Sequence, residues 1–295
     1  MKMTIPREEL MTKGHTGCQG CGAMLAMRYA LKALGKNTMI VIPACCWVVA
    51  IGPFPYSALE VPVFASAFAC AASTAAGIKA GLEMQGKREI NVVAWAGDGG
   101  TFDIGLQSLS AAAERNEDIF YFCYDNEAYM NTGRQRSSAT PYGAWTMTTP
   151  KDSTKNEFKK DIDAIMAAHK IPYMATLSIS EPEDFIRKVR KGMGIKGMKF
   201  FHILSPCPSG WLSDPSDSVK IARYAVETNI FPLYEVENGE KYIINKKIAR
   251  KKPVSDYLKL QGRYRYLNES QIKTIQEAAD KNWRSLLKKE EFPDT

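Results

Sequence analysis

Two stretches concentrate residues able to do chemistry. "GHTGCQGCG", residues 14–22, sets Cys18 and Cys21 two residues apart among small residues, a pattern that can hold a metal, form a redox disulfide or cap a helix. "GDGG", residues 97–100, is the second, and 25 residues separate its GDG from Asp125 and Asn126 at the head of "DNEAYMNTG". Asp98 and Asn126 offer hard oxygen ligands suited to Mg²⁺, which takes few protein oxygens and completes its shell with phosphate and water. Gly97, Gly99 and Gly100 let the backbone come close to a ligand, and a helix starting after Gly100 would aim its N-terminal amides at an anion. The pair of motifs reads as a cradle for a metal-bridged diphosphate. A tight strand-to-helix turn is the simpler use of GDG alone.

Both halves of the second motif follow apolar runs, "INVVAWA" and "IFYFCY", which have the continuous hydrophobicity of strands buried on both faces. Periodicity predicts helices over residues 22–34, 67–84, 104–115, 161–169 and 183–191. It predicts strands over 39–44, 90–96, 119–124, "PYMATLS" and 199–205. This alternation is that of an α/β protein with a doubly wound, mostly parallel sheet, whose carboxyl edge is the expected site. Past Trp211 the pattern changes to a hairpin, "PLYEVENGEKYIIN", turning at Asn238-Gly239, and then to basic helical segments. We divide the chain into a cofactor-binding domain, 1–230, and a C-terminal hairpin and helical extension, 231–295, for subunit contacts.

With 45% hydrophobic and 24% charged residues, the 295-residue chain can bury a sizeable core. A charged opening, "MKMTIPREEL", and the lack of any long apolar run predict a cytoplasmic protein without a membrane span. The seven scattered cysteines do not form a secreted disulfide framework. Residues 241–295 hold 14 Lys and Arg against 7 Asp and Glu, so the net charge of +7 lies wholly in this tail. A solvated helical surface and a docking face for an acidic partner both fit, whereas nucleic acid does not, because no nucleic-acid-binding motif accompanies the charge.

The GDG, the interval and Asn126 resemble the thiamine diphosphate signature, with Asp125 in place of its first Asn. "GHTGCQGCG", "PACCWV", "GDGGTFDIGLQSLSAAAERN", "YDNEAYMNTGRQRSSATPYGAW" and "SPCPSGW" together resemble the β subunits of the pyruvate:ferredoxin oxidoreductases, within the 2-oxoacid:ferredoxin oxidoreductase family. The resemblance implies a thiamine diphosphate-binding fold with Mg²⁺ held by Asp98, Asn126 and the carbonyl of Ala128. Gly97, Gly99 and Gly100 would lie near the phosphates and Asn131 near the reacting carbon, with Thr132 and Arg134 as weaker candidates. It further implies one four-iron, four-sulfur (4Fe-4S) cluster on Cys18, Cys21, Cys46 and Cys207. Cys45 is then a packed thiol, and Cys70 and Cys123 are core thiols. Structural zinc also uses C-x-x-C, but a single pair with two dispersed cysteines favours a cluster. A redox pair is disfavoured because no strand of the usual kind precedes it.

The activity implied is oxidative decarboxylation of a 2-oxo acid, pyruvate first, then branched 2-oxo acids and oxalate, yielding acyl-coenzyme A and passing electrons to ferredoxin. The family's coenzyme-activating Glu comes from an α-type partner, and Ala23 occupies the place where some single-chain relatives have another Glu. A ferredoxin-like subunit would carry further clusters. An iron-free thiamine decarboxylase would leave the cysteines unexplained, and a zinc-bound scaffold would leave GDG unexplained. The three histidines, His15, His169 and His202, offer little imidazole chemistry.

Overall fold

The computed structural model describes residues 4–53 and 55–291; the last four residues of the C-terminal extension lie outside them. The strands are β1 (Thr38–Pro43), β2 (Val63–Ser66), β3 (Asn91–Gly97), β4 (Phe120–Asp125), β5 (Tyr173–Ser178), β6 (Lys199–Leu204), β7 (Tyr234–Glu237) and β8 (Lys241–Ile244). They form one sheet in the order β2-β1-β3-β4-β6-β5-β7-β8. The first six run parallel, so each must return over a face of the sheet. Antiparallel β7 and β8 then complete one edge. The doubly wound, mostly parallel α/β architecture is the one the sequence predicts, and the Asn238-Gly239 hairpin is part of the same sheet.

The helices are α1 (Gly22–Leu34), α2 (Cys46–Ala50), α3 (Ala71–Met84), α4 (Leu106–Glu114), α5 (Ile162–Ala168), α6 (Pro182–Met193), α7 (Pro208–Trp211), α8 (Ser218–Glu227), α9 (Val254–Leu258) and α10 (Glu269–Glu291). Strand alternation splits the core in two. Ile40, Ile42, Val93, Trp95, Phe122 and Phe201 face the side covered by α1 and α6. Val41, Val92, Ala94, Ala96 and Tyr121 face α3 and α4. Because successive side chains alternate across a strand, a run such as "INVVAWA" must be apolar throughout to be buried on both faces.

Four elements escape periodicity: α2, β2, α7 and α8. The first three are only four or five residues long, and β2 is a partly exposed edge strand. Helix α8 is longer and buries Ile221, Ala222, Ala225 and Val226. The helix expected from residue 67 starts at Ala71, so Cys70 caps it from outside and is half-buried rather than a core thiol. Cys123 is fully buried in β4. The helix expected from residue 104 opens as a π-helical turn, Gly99–Asp103, before α4.

The added edge is fastened by charge. Buried Glu235 on β7 accepts hydrogen bonds from Tyr173 (2.8 Å), Arg187 (2.8 Å) and Asn245 (2.7 Å), and it pairs with Lys191. Burial pushes its pKa up, but Lys191, Tyr173 and Arg187 outweigh that and lower it from the ordinary 4.5 to about 2. A depressed carboxylate adds stability that is complete above pH 4.5 and is lost as the pH falls toward 2. Glu235→Gln should cost about 1.5–3 kcal/mol at pH 7, because it removes the anion to which Lys191, Tyr173 and Arg187 donate. The gap between variant and parent in calorimetric melting temperature should narrow as the pH drops from 5 toward 3. An equal gap at both pH values would show that the carboxylate charge is not what fastens this edge.

Candidate functional site

The chain leaves β1 for β2 on one side and β3 for β4 on the other, so the carboxyl ends of β1 and β3 flank a topological switch point. Helix α2, with Cys46 as its first residue, follows β1 closely, and Asp98 follows β3 directly. Cys46 and Asp98 therefore each follow one of the two strands that flank this switch point.

Asp98 is buried, and its Oδ2 accepts a 2.5 Å hydrogen bond from the Ser137 hydroxyl. One terminal atom of the Asn126 amide lies 2.9 Å from Asp98 Oδ1 and 2.9 Å from the Ala128 carbonyl oxygen. With nitrogen in that place the amide donates to both; with oxygen there, three oxygens face one another with no proton between them. An octahedral ion with oxygens at 2.0–2.1 Å sets neighbouring oxygens about 2.9 Å apart, so the oxygen-inward arrangement has the edge length of an Mg²⁺ shell. Gly99 must be glycine: a Cβ there would stand 2.2 Å from the Tyr129 ring. Burial first, and then the charge of Asp125, pushes the Asp98 pKa well above the carboxylate range. A cation would reverse that.

Asp125, which stands where the signature has Asn, is neutralised within the chain. It pairs with Lys159 and, at 2.9 Å, with His202 Nε2, while His202 Nδ1 lies 2.9 Å from Asp163. Burial raises Asp125, but Lys159 and His202 outweigh it and hold its pKa below the ordinary value. Burial opposes the charged His202 ring as well, yet Asp163 and Asp125 lift its pKa to about 9. Lys159 also bonds Glu127 at 2.9 Å, and Glu127 bonds Arg263 at 2.6 Å. Lys159, His202 and Arg263 were not legible as site residues, because nothing in the sequence marks distant charges as neighbours, whereas Ser137 lies in a loop whose Ser and Thr the sequence offers as donors beside a cofactor. Trp211, within "SPCPSGW", could have been found from its motif: its Nε1 donates 2.7 Å to the Asn126 carbonyl.

The cysteine-bearing segments are laced together. Thr16 bonds Ala50 and Val49 of α2 at 3.0 and 2.8 Å, the Gly22 amide donates 2.9 Å to Pro206, and Ser218 donates 2.6 Å to Gly20. Gly20 adopts φ +70°, and a Cβ on it would meet Pro215 O at 2.3 Å. Burial, followed by Cys207, Cys45, Cys21 and Cys18, pushes the Cys46 thiol up to about 12. Burial, Cys207 and Cys18 push Cys21 to about 11. The thiols of Cys18, Cys21, Cys46 and Cys207 thus lie within one another's fields. Burial raises the Cys45 thiol too, and the neighbouring Tyr124 side chain opposes that rise. Among the described residues, no group of three or more His, Cys, Asp and Glu side chains is set to hold a single metal ion.

Asn131 and Thr132 are exposed; Thr132 bonds Gln135 at 2.6 Å. Arg134 donates 3.2 Å to the Ser209 carbonyl and so ties their loop to α7. His15 makes only a local contact, its Nδ1 accepting from the Gly17 amide at 3.3 Å.

Removing one member of the buried charge series should expose its cost. Lys159→Met leaves Asp125 and Glu127 short of a cation, and urea denaturation should register a loss of about 3–5 kcal/mol. A loss under about 1 kcal/mol would mean that the carboxylates do not depend on this lysine.

Residues 46–203 match the family described as "Thiamine pyrophosphate enzyme, C-terminal TPP binding domain". The chain is 50% identical over 297 residues to the ketoisovalerate oxidoreductase subunit VorB of Pyrococcus horikoshii, covering 97% of this chain and 95% of the relative. It is 52% identical over 281 residues to the pyruvate synthase subunit PorB of Methanothermobacter marburgensis, covering 94% and 97%. In fold it is similar, at a TM-score of 0.59 and 21% identity, to a chain of the 2-oxoglutarate:ferredoxin oxidoreductase from Magnetococcus marinus, over 76% of this chain and 81% of that one. Among the described residues no helix is long and apolar enough to cross a membrane. By the extent and identity of these matches, the chain belongs to the catalytic β subunits of the thiamine diphosphate-dependent 2-oxoacid:ferredoxin oxidoreductases.

Proposed function

We propose that the chain binds thiamine diphosphate through Mg²⁺ on Asp98, Asn126 and Ala128, holds one 4Fe-4S cluster on Cys18, Cys21, Cys46 and Cys207, and takes part in oxidative decarboxylation of pyruvate to acetyl-coenzyme A with ferredoxin as electron acceptor. The observation that carries this reading is the convergence of Asp98, Asn126 and the Ala128 carbonyl at the carboxyl end of β3, beside the switch point that α2 and Cys46 follow on β1. Bound there, the coenzyme supplies an electron-accepting ring to the carboxyl-losing 2-oxo acid, and the cluster supplies a one-electron acceptor.

The chain's own part is to bind and orient. Ser137 holds Asp98 on one oxygen and leaves the other toward Asn126. The π-helical turn after Asp98 brings buried Gly99 and Gly100 to the crevice, where Gly97, Gly99 and Gly100 would approach the phosphates. Cys21, Cys46 and Cys207, whose ionisation burial and neighbouring thiols oppose, form with Cys18 a set that a cationic iron centre would satisfy. Asn131 and Thr132, exposed on the rim, would face substrate and coenzyme only once a partner closes over them.

Glu127 is the glutamate between the Mg²⁺ candidates, but Arg263 and Lys159 engage its carboxylate. That supports an α-type partner as the source of the coenzyme-activating Glu, with a ferredoxin-like subunit carrying further clusters. Residues 231–295 would add subunit contacts, although Lys246, Lys247, Lys251 and Arg263 are paired within the chain. The likeness to the ketoisovalerate enzyme subunit favours a branched 2-oxo acid as the second reading.

Ferredoxin reduction by the purified complex, run against a panel of 2-oxo acids, tests substrate choice: pyruvate should give the highest kcat/KM, and a preference for 2-ketoisovalerate would establish the second reading. Cys46→Ala should abolish this chain's cluster signal in electron paramagnetic resonance while Cys45→Ala retains it. The reverse outcome would reassign the ligand. Asp98→Ala should abolish calorimetric binding of thiamine diphosphate while the cluster persists, and normal binding would remove Asp98 from the site.

A further inference from the structure

Glu127 sits between the two residues that present oxygens to the candidate cation, and its backbone has φ +66°, the left-handed region that a residue with a Cβ seldom adopts. Such a conformation costs of order 1–3 kcal/mol and persists only where the surroundings fix it. Here they fix it from every side. The Glu127 amide donates 2.9 Å to Asp125 Oδ1, its carbonyl accepts 2.8 Å from the Thr140 hydroxyl, and its carboxylate binds Lys159 at 2.9 Å and Arg263 at 2.6 Å.

Arg263 comes from the C-terminal segment and is itself buried and fixed. Its Nε donates 2.9 Å to Gln261, its carbonyl accepts 2.9 Å from the Trp145 amide, and its guanidinium lies 3.8 Å from the centre of the Trp211 ring. Trp211 in turn donates to the Asn126 carbonyl. One guanidinium therefore reaches both ends of the Asn126-Glu127 unit, by an ion pair to Glu127 and by a stacked indole to Asn126. The Gly262 amide, donating 3.0 Å to the Leu212 carbonyl, ties the same segment to the end of α7.

We propose that Glu127 and Arg263 are positioning residues for the divalent-cation site: through Glu127 and Trp211, Arg263 holds the left-handed turn that directs the Asn126 side chain and the Ala128 carbonyl toward Asp98. This rests on the reading of Asp98, Asn126 and Ala128 as cation ligands. It gives the C-terminal segment a task at the cofactor loop in addition to any contact with partners. Groups that orient a ligand without touching the metal typically change metal affinity about 10–100-fold when removed.

The test uses the purified complex and Mn²⁺ as the probe, with its affinity in the presence of thiamine diphosphate read by electron paramagnetic resonance and folding followed by thermal melting. Arg263→Met and Glu127→Gln should each weaken Mn²⁺ binding about 10–100-fold, and Arg263→Lys should recover part of the loss. The double variant should be no weaker than the weaker single variant by more than about twofold, because both changes break one linkage. A merely structural arginine would lower the melting temperature in Arg263→Met and leave Mn²⁺ affinity unchanged. Should Arg263→Met fail to fold, Glu127→Gln and Arg263→Lys decide. Affinities within about twofold of the parent, or single losses that multiply in the double variant, overturn the inference. Asp98→Ala separates the two claims: its loss of Mn²⁺ binding alongside unaffected Glu127 and Arg263 variants sinks only the positioning role, whereas retained binding in Asp98→Ala sinks the cation site itself.

Discussion

Charges of alternating sign run through the interior beside the carboxyl edge of β4, from Arg263 to Glu127 to Lys159 to Asp125 to His202 and Asp163. An isolated charge in this environment would cost several kcal/mol, so each member is tolerable only because its neighbours are in place. The series draws together α5, β4, β6 and the segment after α9, which are far apart in sequence. It also decides which carboxylate is free to act. Asp125 is matched by a lysine and an imidazolium, whereas Asp98, a strand away, has a serine hydroxyl and an amide but no cation of its own. Asp98 is thus the carboxyl group at this edge whose charged form awaits a cation.

Aromatic packing does for the cysteines what charge does for the loop. Trp47, directly after Cys46, is fully buried with its ring centre 5.8 Å from that of Trp95, and Trp95 stacks at 6.0 Å on Tyr124. This seats the short α2 over the end of β3, which its five residues could not achieve by helix propensity. The seat also gives the adjacent thiols different neighbours: Cys45 lies by Tyr124, and Cys46 feels Cys18, Cys21 and Cys207.

The parallel strands were legible in the sequence because burial on both faces demands unbroken apolar runs, and α1 was legible to its ends because its apolar face repeats over three turns. That Asp98 and Asn126 would adjoin could be read from the sequence because each directly follows one of two neighbouring strands, at their carboxyl ends. Helix α2 and strand β2 were not legible, being too short to show a period. Nor were Lys159 and Arg263. A solvated lysine and a buried one look alike in a sequence, and the difference arises only when the fold sets 136 positions between Glu127 and Arg263 to zero distance. The excess charge of the tail likewise reads as surface until individual residues are followed into the interior.

The four thiols have very unequal places along the chain. Cys18, Cys21 and Cys46 lie within the first fifth of the sequence, while Cys207 follows β6, the last strand of the parallel set to be made. Strand β6 lies between β4 and β5, so the strand that leads to Cys207 is central in the sheet although it comes late in the chain. During synthesis, which proceeds from the amino terminus, three cysteines are therefore displayed on a nascent chain long before the fourth emerges from the ribosome. Any centre built on the complete set must be loaded after translation has passed residue 207, and until then the early thiols depend on a reducing, metal-buffered surrounding to remain usable.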